Sequence, residues 1–424
     1  MLDKREKAPE APKALVEAAV DVTNRMVFNI NESYVMASYT IGIKHLILRS
    51  LLFPLTIFLS FSTVTSAAVL PAERADAMYH RYDGGGMVID GPSILVRKNI
   101  AEKYSIAANY YVDSVSSASI DVLTSGASEY AEERIESSLD FTYLEDKSLI
   151  NIGYTTSKEN DYEANSFRVD FSQDFFGDMS TLSMGFSQGN DDITQTDNNS
   201  FAEKLERRHY RVGLAQILTR NLMANINYES IIDEGYLQNP YRFILVNNGS
   251  TYDIQAERYP NTRNSDAVSL KLSYHLPWPA AVKSRFGYFT DSWGIKSQSI
   301  EFDYSQKINN RLMVDLRIRQ YQQGNADFYA NAFNADSALQ TFVGRDKELS
   351  EYSSFSIGVG ASYEWTFKQR IDKASVNIQL DYMIFDYDNF NEVTSETTAS
   401  FGIGNEPLYS FNAYALRLFF SLWY

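Results

Sequence analysis

The chain has 424 residues, contains no cysteine and carries a formal net charge of -16. The missing thiols exclude disulfides, thiolate metal sites, cysteine nucleophiles and a lipid-anchored export signal, and the acidic excess argues against nucleic-acid binding, which needs clustered Lys and Arg. Tyr (29) and Phe (26) are abundant, which is typical of transmembrane β-barrels with aromatic girdles at both membrane interfaces.

The first segment, residues 1–40, carries charges of both signs. An export signal follows this segment, and such signals rarely lie behind a charged leader. We therefore expect residues 1–40 to be an N-terminal extension produced by a misplaced start. The true first residue is then Met26 or Met36, the alternative being an unusually long basic region of the signal.

Residues 41–67 have the three parts of a secretory signal peptide. Basic residues within 44–49 precede the apolar core 50–61, and small residues then lead to Ala67 and Ala68. The core has 12 residues, fewer than the ~18 that a membrane anchor needs. The sequence therefore predicts export, with cleavage near Ala67 or Ala68.

The remaining chain, 68–424, consists largely of segments in which apolar and polar side chains alternate. The alternation has a period of two, which predicts strands with one face for lipid and one for water. The pattern is clearest in four segments, at 138–143, 312–319, 355–365 and 376–384.

The predicted strands are joined alternately by short turns and longer polar links. The short turns are predicted at 101–103, 145–148, 176–179, 220–221, 277–280, 309–311 and 368–373. The longer links are predicted at 188–207, 233–264, 323–352 and 388–408. Outer-membrane barrels have this asymmetry, with the short turns on the periplasmic side.

The turns also set the number of strands. Seven turns join seven pairs, 409–424 adds a last strand, and 78–90 can supply the first strand that a periplasmic N-terminus requires. The sequence therefore predicts an all-β fold, a transmembrane antiparallel up-and-down β-barrel of about 16 strands. It has short periplasmic turns and long extracellular loops. Fourteen strands is the alternative if 78–90 and 93–99 do not span.

One hairpin, 299–320, allows the strand register to be predicted. If 309–311 form the turn, Phe302 faces Ile318 on the lipid side and Asp303 faces Arg317 on the inner side. The same register pairs Tyr304 with Leu316 and Glu301 with Arg319. Opposite charges across a strand pair stabilise it by a few tenths to ~1 kcal/mol, so one register satisfies both faces.

The C-terminus is apolar at every second position and ends on an aromatic residue. These positions are Tyr414, Leu416, Leu418, Phe420, Leu422 and Tyr424. A last strand of this kind can pair with a partner sheet by strand addition. We interpret it as the signal read by the outer-membrane barrel assembly machinery.

The inward faces of the strands carry charges of both signs, as a water-filled lumen allows. The candidate lumen-lining residues are Arg134, Asp140, Arg168, Asp170, Lys271, Arg285, Asp303, Asp315, Arg317, Arg319 and Asp381. Glu136, Arg211, Glu301 and Arg417 share these faces. Opposed patches would create a transverse field and tune selectivity, whereas local pairs would only brace the wall, and both interpretations stay open.

The sequence contains no catalytic, cofactor or metal motif. Gly84–Gly86 lack the following helix and Lys-Ser/Thr of a phosphate loop, and we expect them to permit a bulge or a close approach. His80, His209 and His275 lack metal-ligand spacing, and 190–199 lack the spacing of an EF-hand loop. We expect no enzyme activity, although a position of His209 beside an acidic residue would favour an outer-membrane hydrolase.

Several segments of the chain resemble an uncharacterised bacterial family, the domain of unknown function 3570 (DUF3570). They are YHRYDGGGMVIDGPSILVRKN (79–99), ANYYVDSVSSASIDV (108–122), YAEERIE (130–136), GYTTSKENDYEAN (153–165) and SQDFFGDMSTLSMG (172–185). The resemblance covers 70–424 and is strongest before residue 190. It implies an outer-membrane barrel of Gram-negative bacteria and implies no particular activity.

These features together predict a porin-like channel for small solutes in the cell outer membrane. A closed barrel acting as a scaffold in an envelope complex and an outer-membrane hydrolase are the alternatives, and a secreted β-sandwich is the alternative fold. The expected partners are the lipid bilayer and the assembly machinery, with no nucleic acid and no cofactor. The sequence leaves the oligomeric state open.

Overall fold

The computed structural model describes residues 68–117, 130–196, 198, 200–367 and 370–424. The predicted extension 1–40 and signal peptide 41–67, including Ala67 at its cleavage site, lie outside the described residues. Within the described part, sixteen antiparallel strands close into a barrel, and two more form a separate hairpin. The predicted fold class is confirmed, with the higher of the two strand counts.

The strand bounds follow the predicted turns closely. The barrel strands are β1 (Arg74–Gly84), β2 (Met87–Ile100), β3 (Tyr104–Ser117), β4 (Tyr130–Glu145), β5 (Ser148–Lys158), β6 (Tyr162–Phe175), β7 (Ser180–Thr194), β8 (Ala202–Thr219), β9 (Leu222–Gly235), β12 (Thr262–His275), β13 (Ala280–Asp291), β14 (Lys296–Lys307), β15 (Leu312–Gln323), β16 (Tyr352–Thr366), β17 (Lys373–Asn391) and β18 (Leu408–Trp423). The separate hairpin is β10 (Phe243–Asn247) with β11 (Tyr252–Ala256).

The barrel closes where the C-terminal strand meets the first one. β18 pairs with β17 on one side and with β1 on the other, from Arg74 opposite Trp423 to Gly84 opposite Ala413. Closure satisfies the backbone of every strand, which a hydrocarbon environment demands. Tyr424 lies just beyond β18, and its hydroxyl donates to the Arg97 carbonyl at 3.0 Å.

The register predicted for hairpin 299–320 is confirmed. Phe302 lies opposite Ile318 and Asp303 opposite Arg317. Phe302 is 47% exposed and Ile318 37%, whereas Glu301, on the other face, is 7% exposed. The apolar face therefore points outward to lipid and the charged face points inward.

The predicted first strand, 78–90, is wrong. Residues 74–84 and 87–100 are two strands, joined by a tight turn at Gly85 and Gly86 with φ of 60° and 76°. Two consecutive left-handed residues define the turn type that best matches the twist of a hairpin, and glycine adopts it without strain. The glycine run was expected to permit a bulge or a close approach. Gly84 allows a close approach to β18, since a Cβ there would lie 2.2 Å from Ala413 Cβ, whereas Gly85 and Gly86 form the hairpin turn.

All seven short turns lie where they are predicted, although residues 368–369 are outside the described residues. The links at the opposite end of the barrel, called the outer links below, vary more in length. Those at 236–261, 324–351 and 392–407 are long, and 195–201 is shorter than predicted because β7 and β8 extend beyond the expected bounds. The links at 85–86, 159–161 and 292–295 are as short as the inner turns.

The long outer links contain the helical turns of the described chain. These are the one-turn 3-10 helices Ser337–Leu339 and Lys347–Leu349 and the helix α1 (Ser395–Phe401), capped by Thr394. No helix among the described residues is long and apolar enough to cross a membrane.

The assignment of the two faces can be tested by replacing Phe302 with arginine. An arginine on the lipid face near the middle of the bilayer costs about 2–4 kcal/mol. We therefore expect Phe302→Arg to abolish most of the heat-modifiable, folded form after refolding into vesicles. Asp303→Asn removes the negative charge beside Arg317 but keeps an oxygen that can accept the hydrogen bond from Arg317 Nε. This variant should keep most of the folded form, and equal losses in the two variants would mean that the two faces are assigned the wrong way round.

Candidate functional site

The inner wall carries a belt of paired charges, which is the main candidate for a functional surface. On its first arc, Arg168 of β6 contacts Asp140 of β4 and also Asp170, at 3.0 Å. Arg211 of β8 donates to Asp170 at 2.6 Å. Carboxylates and guanidinium groups thus alternate along three strands, each within reach of an opposite charge.

The pairs on this arc reach across an intervening strand because that strand offers a glycine. Gly153 lies between Asp140 and Arg168, and Gly185 lies between Asp170 and Arg211. A Cβ on Gly153 would lie 2.6 Å from Asp140 Oδ1, and one on Gly185 would lie 2.8 Å from Arg211 Nε. The glycines therefore clear the space in which partners two strands apart meet.

The second arc of the belt follows β13 to β15. Arg285 donates to Glu301 at 3.3 Å, and Arg317 donates to Asp303 at 2.8 Å. Asp315 accepts a hydrogen bond from Ser305 at 2.5 Å. Most of these groups are partly buried, so salt screens their attraction less than that of a fully exposed pair.

Two of the predicted lumen residues lie at the edges of this arc. Arg319 lies on β15, where its guanidinium carbon is 5.4 Å from the centre of the Tyr321 ring. Lys271 lies on β12, opposite Arg285, and is 8% exposed.

The third arc crosses the seam that closes the barrel. Arg417 of β18 donates to Asp381 of β17 at 2.7 Å, and His80 of β1 lies opposite Arg417. His80 Nε2 lies 2.7 Å from Asp113 Oδ1 on β3. Gly91 occupies the strand between them, so this pair also passes over a glycine.

The charges at the seam are buried. His80 is 2% exposed and Asp113 is fully buried, and the Tyr111 ring stacks on His80 with 4.8 Å between the ring centres. Arg134 Nη1 lies 3.7 Å from Asp113 Oδ2, and Arg134 Nη2 lies 2.5 Å from Glu136. A buried charge left without its partner costs several kcal/mol, so these contacts fix the seam residues in place.

The belt includes candidate residues that the sequence reasoning missed. Asp113 and Tyr111 were not proposed, and His80 was given no partner. The alternation of Tyr111 and Asp113 on β3 places both on one face and could have indicated an inward carboxylate. The contact of His80 with Asp113 could not be predicted, because it crosses β2. The predicted strand 78–90 had merged the end of β1 with the start of β2.

The long outer loops form a cap with its own apolar contacts. Residues of 236–261 and 324–351 pack into one buried cluster that contains Ile244, Phe333 and Val343. The two loops are also joined by strand-like pairing of Val246 with Phe333 and of Arg258 with Val343. The cap is therefore a folded unit and not a set of independent loops.

Arg345 joins the cap loops at its centre. Its Nε donates to the Asn331 carbonyl at 2.7 Å, and its Nη2 donates to the Asn391 carbonyl at 3.1 Å. Its backbone N–H donates to Glu257 Oε1 at 2.6 Å, and its guanidinium carbon lies 4.5 Å from the centre of the Phe390 ring. One buried arginine thus joins two of the long loops, 236–261 and 324–351, to the outer end of β17.

Loop 236–261 reaches across the outer mouth of the barrel. At one end the Tyr241 hydroxyl donates to Asp161 between β5 and β6, and at the other the Tyr252 hydroxyl donates to Glu406, between β17 and β18, at 3.2 Å. Six strands separate these two links one way round the barrel and ten the other way. The loop therefore crosses the mouth as a strap.

Burial, followed by the bond to Asp161, raises the pKa of Tyr241 to about 12. The phenol consequently remains a hydrogen-bond donor throughout the neutral range, and this end of the strap should stay anchored until strongly alkaline pH.

The histidines occupy three different environments. His80 belongs to the seam, and His275 lies at the inner end of β12. His209 Nε2 lies 2.9 Å from Glu229, and Ser187 is directly across the strand pair from His209. This is the acidic neighbour of His209 that would favour a hydrolase. Among the described residues, no group of three or more His, Asp and Glu side chains has metal-site geometry.

The need for glycine between the paired charges can be tested on β7. Gly185→Ala would push a methyl group into the Asp170–Arg211 bridge, and overpacking of this kind costs about 1–3 kcal/mol. We expect a lower unfolding temperature in the heat-modifiability assay. Gly189→Ala on the same strand is the control, because its nearest neighbouring atom would lie 3.8 Å away. An equal effect of the two changes on the unfolding temperature would contradict the proposed role of Gly185.

Comparison with solved structures finds other outer-membrane barrels. A bacterial polysaccharide outer membrane secretin is 7% identical, with 82% of this chain and 98% of that chain covered and a TM-score of 0.47. The siderophore receptor PirA from Pseudomonas aeruginosa is 8% identical, with 84% and 81% covered and a TM-score of 0.39. A loop-deletion mutant of OmpT, an outer membrane protein of Vibrio cholerae, is 8% identical, with 82% and 97% covered and a TM-score of 0.37.

No curated protein matches the sequence. The model of the family described as protein of unknown function (DUF3570) matches residues 123–210 and 194–392, together more than half of the chain. The closed wall, apolar outside and charged inside, is the architecture that crosses an outer membrane in contact with its lipid. The chain therefore belongs to the DUF3570 family and is an outer-membrane β-barrel.

Proposed function

We propose that this barrel is a porin-like channel for small solutes. The observation that carries the proposal is the charge belt on the inside of a closed wall of sixteen strands. Charged side chains of both signs are hydrated in an aqueous lumen, whereas an apolar core would exclude them. A barrel of this size is wide enough to leave an aqueous channel.

The route to the membrane is part of the same proposal. Export would use the signal peptide 41–67, with cleavage near Ala67 or Ala68. The assembly machinery would bind the C-terminal strand, whose Tyr414, Leu418 and Phe420 point outward and are 39–54% exposed. The same strand must later pair with β1, so release from the machinery and barrel closure would be one exchange of partners.

Single-channel recording tests the proposal. We expect the refolded mature chain to produce stable steps of conductance in planar bilayers. We further expect Tyr241→Phe combined with Tyr252→Phe to raise that conductance, because both ends of the strap lose a hydrogen bond. Tyr288→Phe, on the lipid-facing side of β13, is the matched control and should leave conductance unchanged.

A correctly folded protein without any conductance would contradict the channel. That result would favour the closed barrel acting as a scaffold in an envelope complex, and the folded cap would then be its docking platform. The cap is the observation behind this alternative, since Arg345 fixes two long loops to the outer end of β17 and so holds an outer surface in place.

A hydrolase is the remaining candidate, favoured by the contact of His209 with Glu229 at 2.9 Å. In such an enzyme Ser187 would be the nucleophile and His209 the base, oriented by the carboxylate. We expect no labelling of the folded protein by a fluorophosphonate probe, because Ser187 makes no hydrogen bond to His209 in the described structure. Labelling that is lost in Ser187→Ala and in His209→Gln would establish the enzyme instead.

A further inference from the structure

We propose that the lumen is matched to uncharged and zwitterionic polar solutes, and that it discriminates little between small anions and cations. This inference rests on the proposed channel function and names the class of solute that the channel would pass. It is carried by the way in which opposite charges are placed along the inner wall.

Six arginines of the belt contact carboxylates. The pairs are Arg134 with Glu136 and Asp113, Arg168 with Asp140 and Asp170, Arg211 with Asp170, Arg285 with Glu301, Arg317 with Asp303, and Arg417 with Asp381. These pairs contain six arginines and seven carboxylates, and Lys271, Arg319 and Asp315 bring the belt to eight basic and eight acidic side chains. The belt is therefore close to neutral, although the whole chain carries -16.

The charges are interleaved and do not form two opposed patches. Basic and acidic groups follow each other around the wall on β4, β6 and β8, again on β13 to β15, and again on β17 and β18. A transverse field needs like charges gathered on one side of the pore. The field of pairs about 3 Å apart falls off steeply with distance, and salt screens it further within about 10 Å.

The pairing is built into the backbone. Gly153 and Gly185 leave the space in which the first-arc partners meet, and Gly358 on β16 lies against both Asp381 and Arg317. A pore that exposed its charges to permeating ions would have no need of such gaps. On the first arc the gaps instead allow Arg168 and Arg211 each to be neutralised by a carboxylate two strands away.

A neutralised wall still offers many polar contacts. The lumen side also presents hydroxyl and amide groups, such as Ser362 with Asn377 and Asn151 with Thr142, which hydrogen-bond to each other at 2.5 and 2.9 Å. Solutes that carry hydroxyl groups, or balanced charges, can exchange hydrogen bonds with this surface without an electrostatic barrier. A solute with a net charge gains no net attraction.

Reversal potentials in a KCl gradient test the inference on the wild-type mature chain. We expect a permeability ratio of K⁺ to Cl⁻ within about twofold of one. In a vesicle-swelling assay, an uncharged sugar and a zwitterionic amino acid of similar size should enter at similar rates.

Two substitutions within one bridge provide the sharper test. Asp170→Asn leaves Arg211 without its carboxylate and should shift the ratio toward Cl⁻, whereas Arg211→Gln should shift it toward K⁺. The double variant should return to the wild-type ratio. Asp192→Asn, on the exposed outer pair with Lys204, is the control and should cause no shift.

The outcomes separate the inference from the function on which it rests. Strong selectivity of the wild-type channel, by about tenfold or more, would overturn the matched lumen and leave the channel intact. Shifts of Asp170→Asn and Arg211→Gln in the same direction would also overturn it. Absence of conductance in a folded wild-type protein would overturn the channel itself.

Discussion

The constraint on which the structure depends is that no backbone donor or acceptor can remain unpaired in hydrocarbon. Each such group costs several kcal/mol, so strands can cross a bilayer only as a closed barrel. Closure is achieved at a single junction, where β18 pairs with β1 over the full length of the first strand. The seam residues His80, Asp113 and Arg417 lie on the inner side of this junction and are nearly inaccessible to solvent.

Closure also explains why the inner face can carry so many charges. A strand has two faces, and once lipid takes the apolar one, the other must be polar over its whole length. On the first arc, glycine on the intervening strands β5 and β7 then decides which charges meet. Gly153 and Gly185 replace a side chain that would stand between the partners, so a single missing Cβ converts a row of isolated charges into a connected network.

The sequence could predict whatever depends on the period of two and on local turns. The register of 299–320 could be predicted because one alignment placed apolar residues opposite apolar residues and Asp303 opposite Arg317. The first hairpin could not be predicted, because the strand pattern continues on both sides of Gly84–Gly86 and does not mark the turn. The long-range contacts were also out of reach. Arg345 and Tyr241 bind groups far away in the chain, and alternation shows which face a residue occupies but not its partner.

In the proposed channel, the structural and the permeation roles of the belt cannot be separated. A carboxylate such as Asp170 holds Arg168 and Arg211 in place and at the same time cancels their field. The same bond therefore stiffens the wall and lowers its charge selectivity. The bracing network and the selectivity surface were treated as alternatives at the level of sequence, but the geometry makes them one arrangement. A lumen braced by pairs of opposite charge is, for that reason, a lumen with little net field.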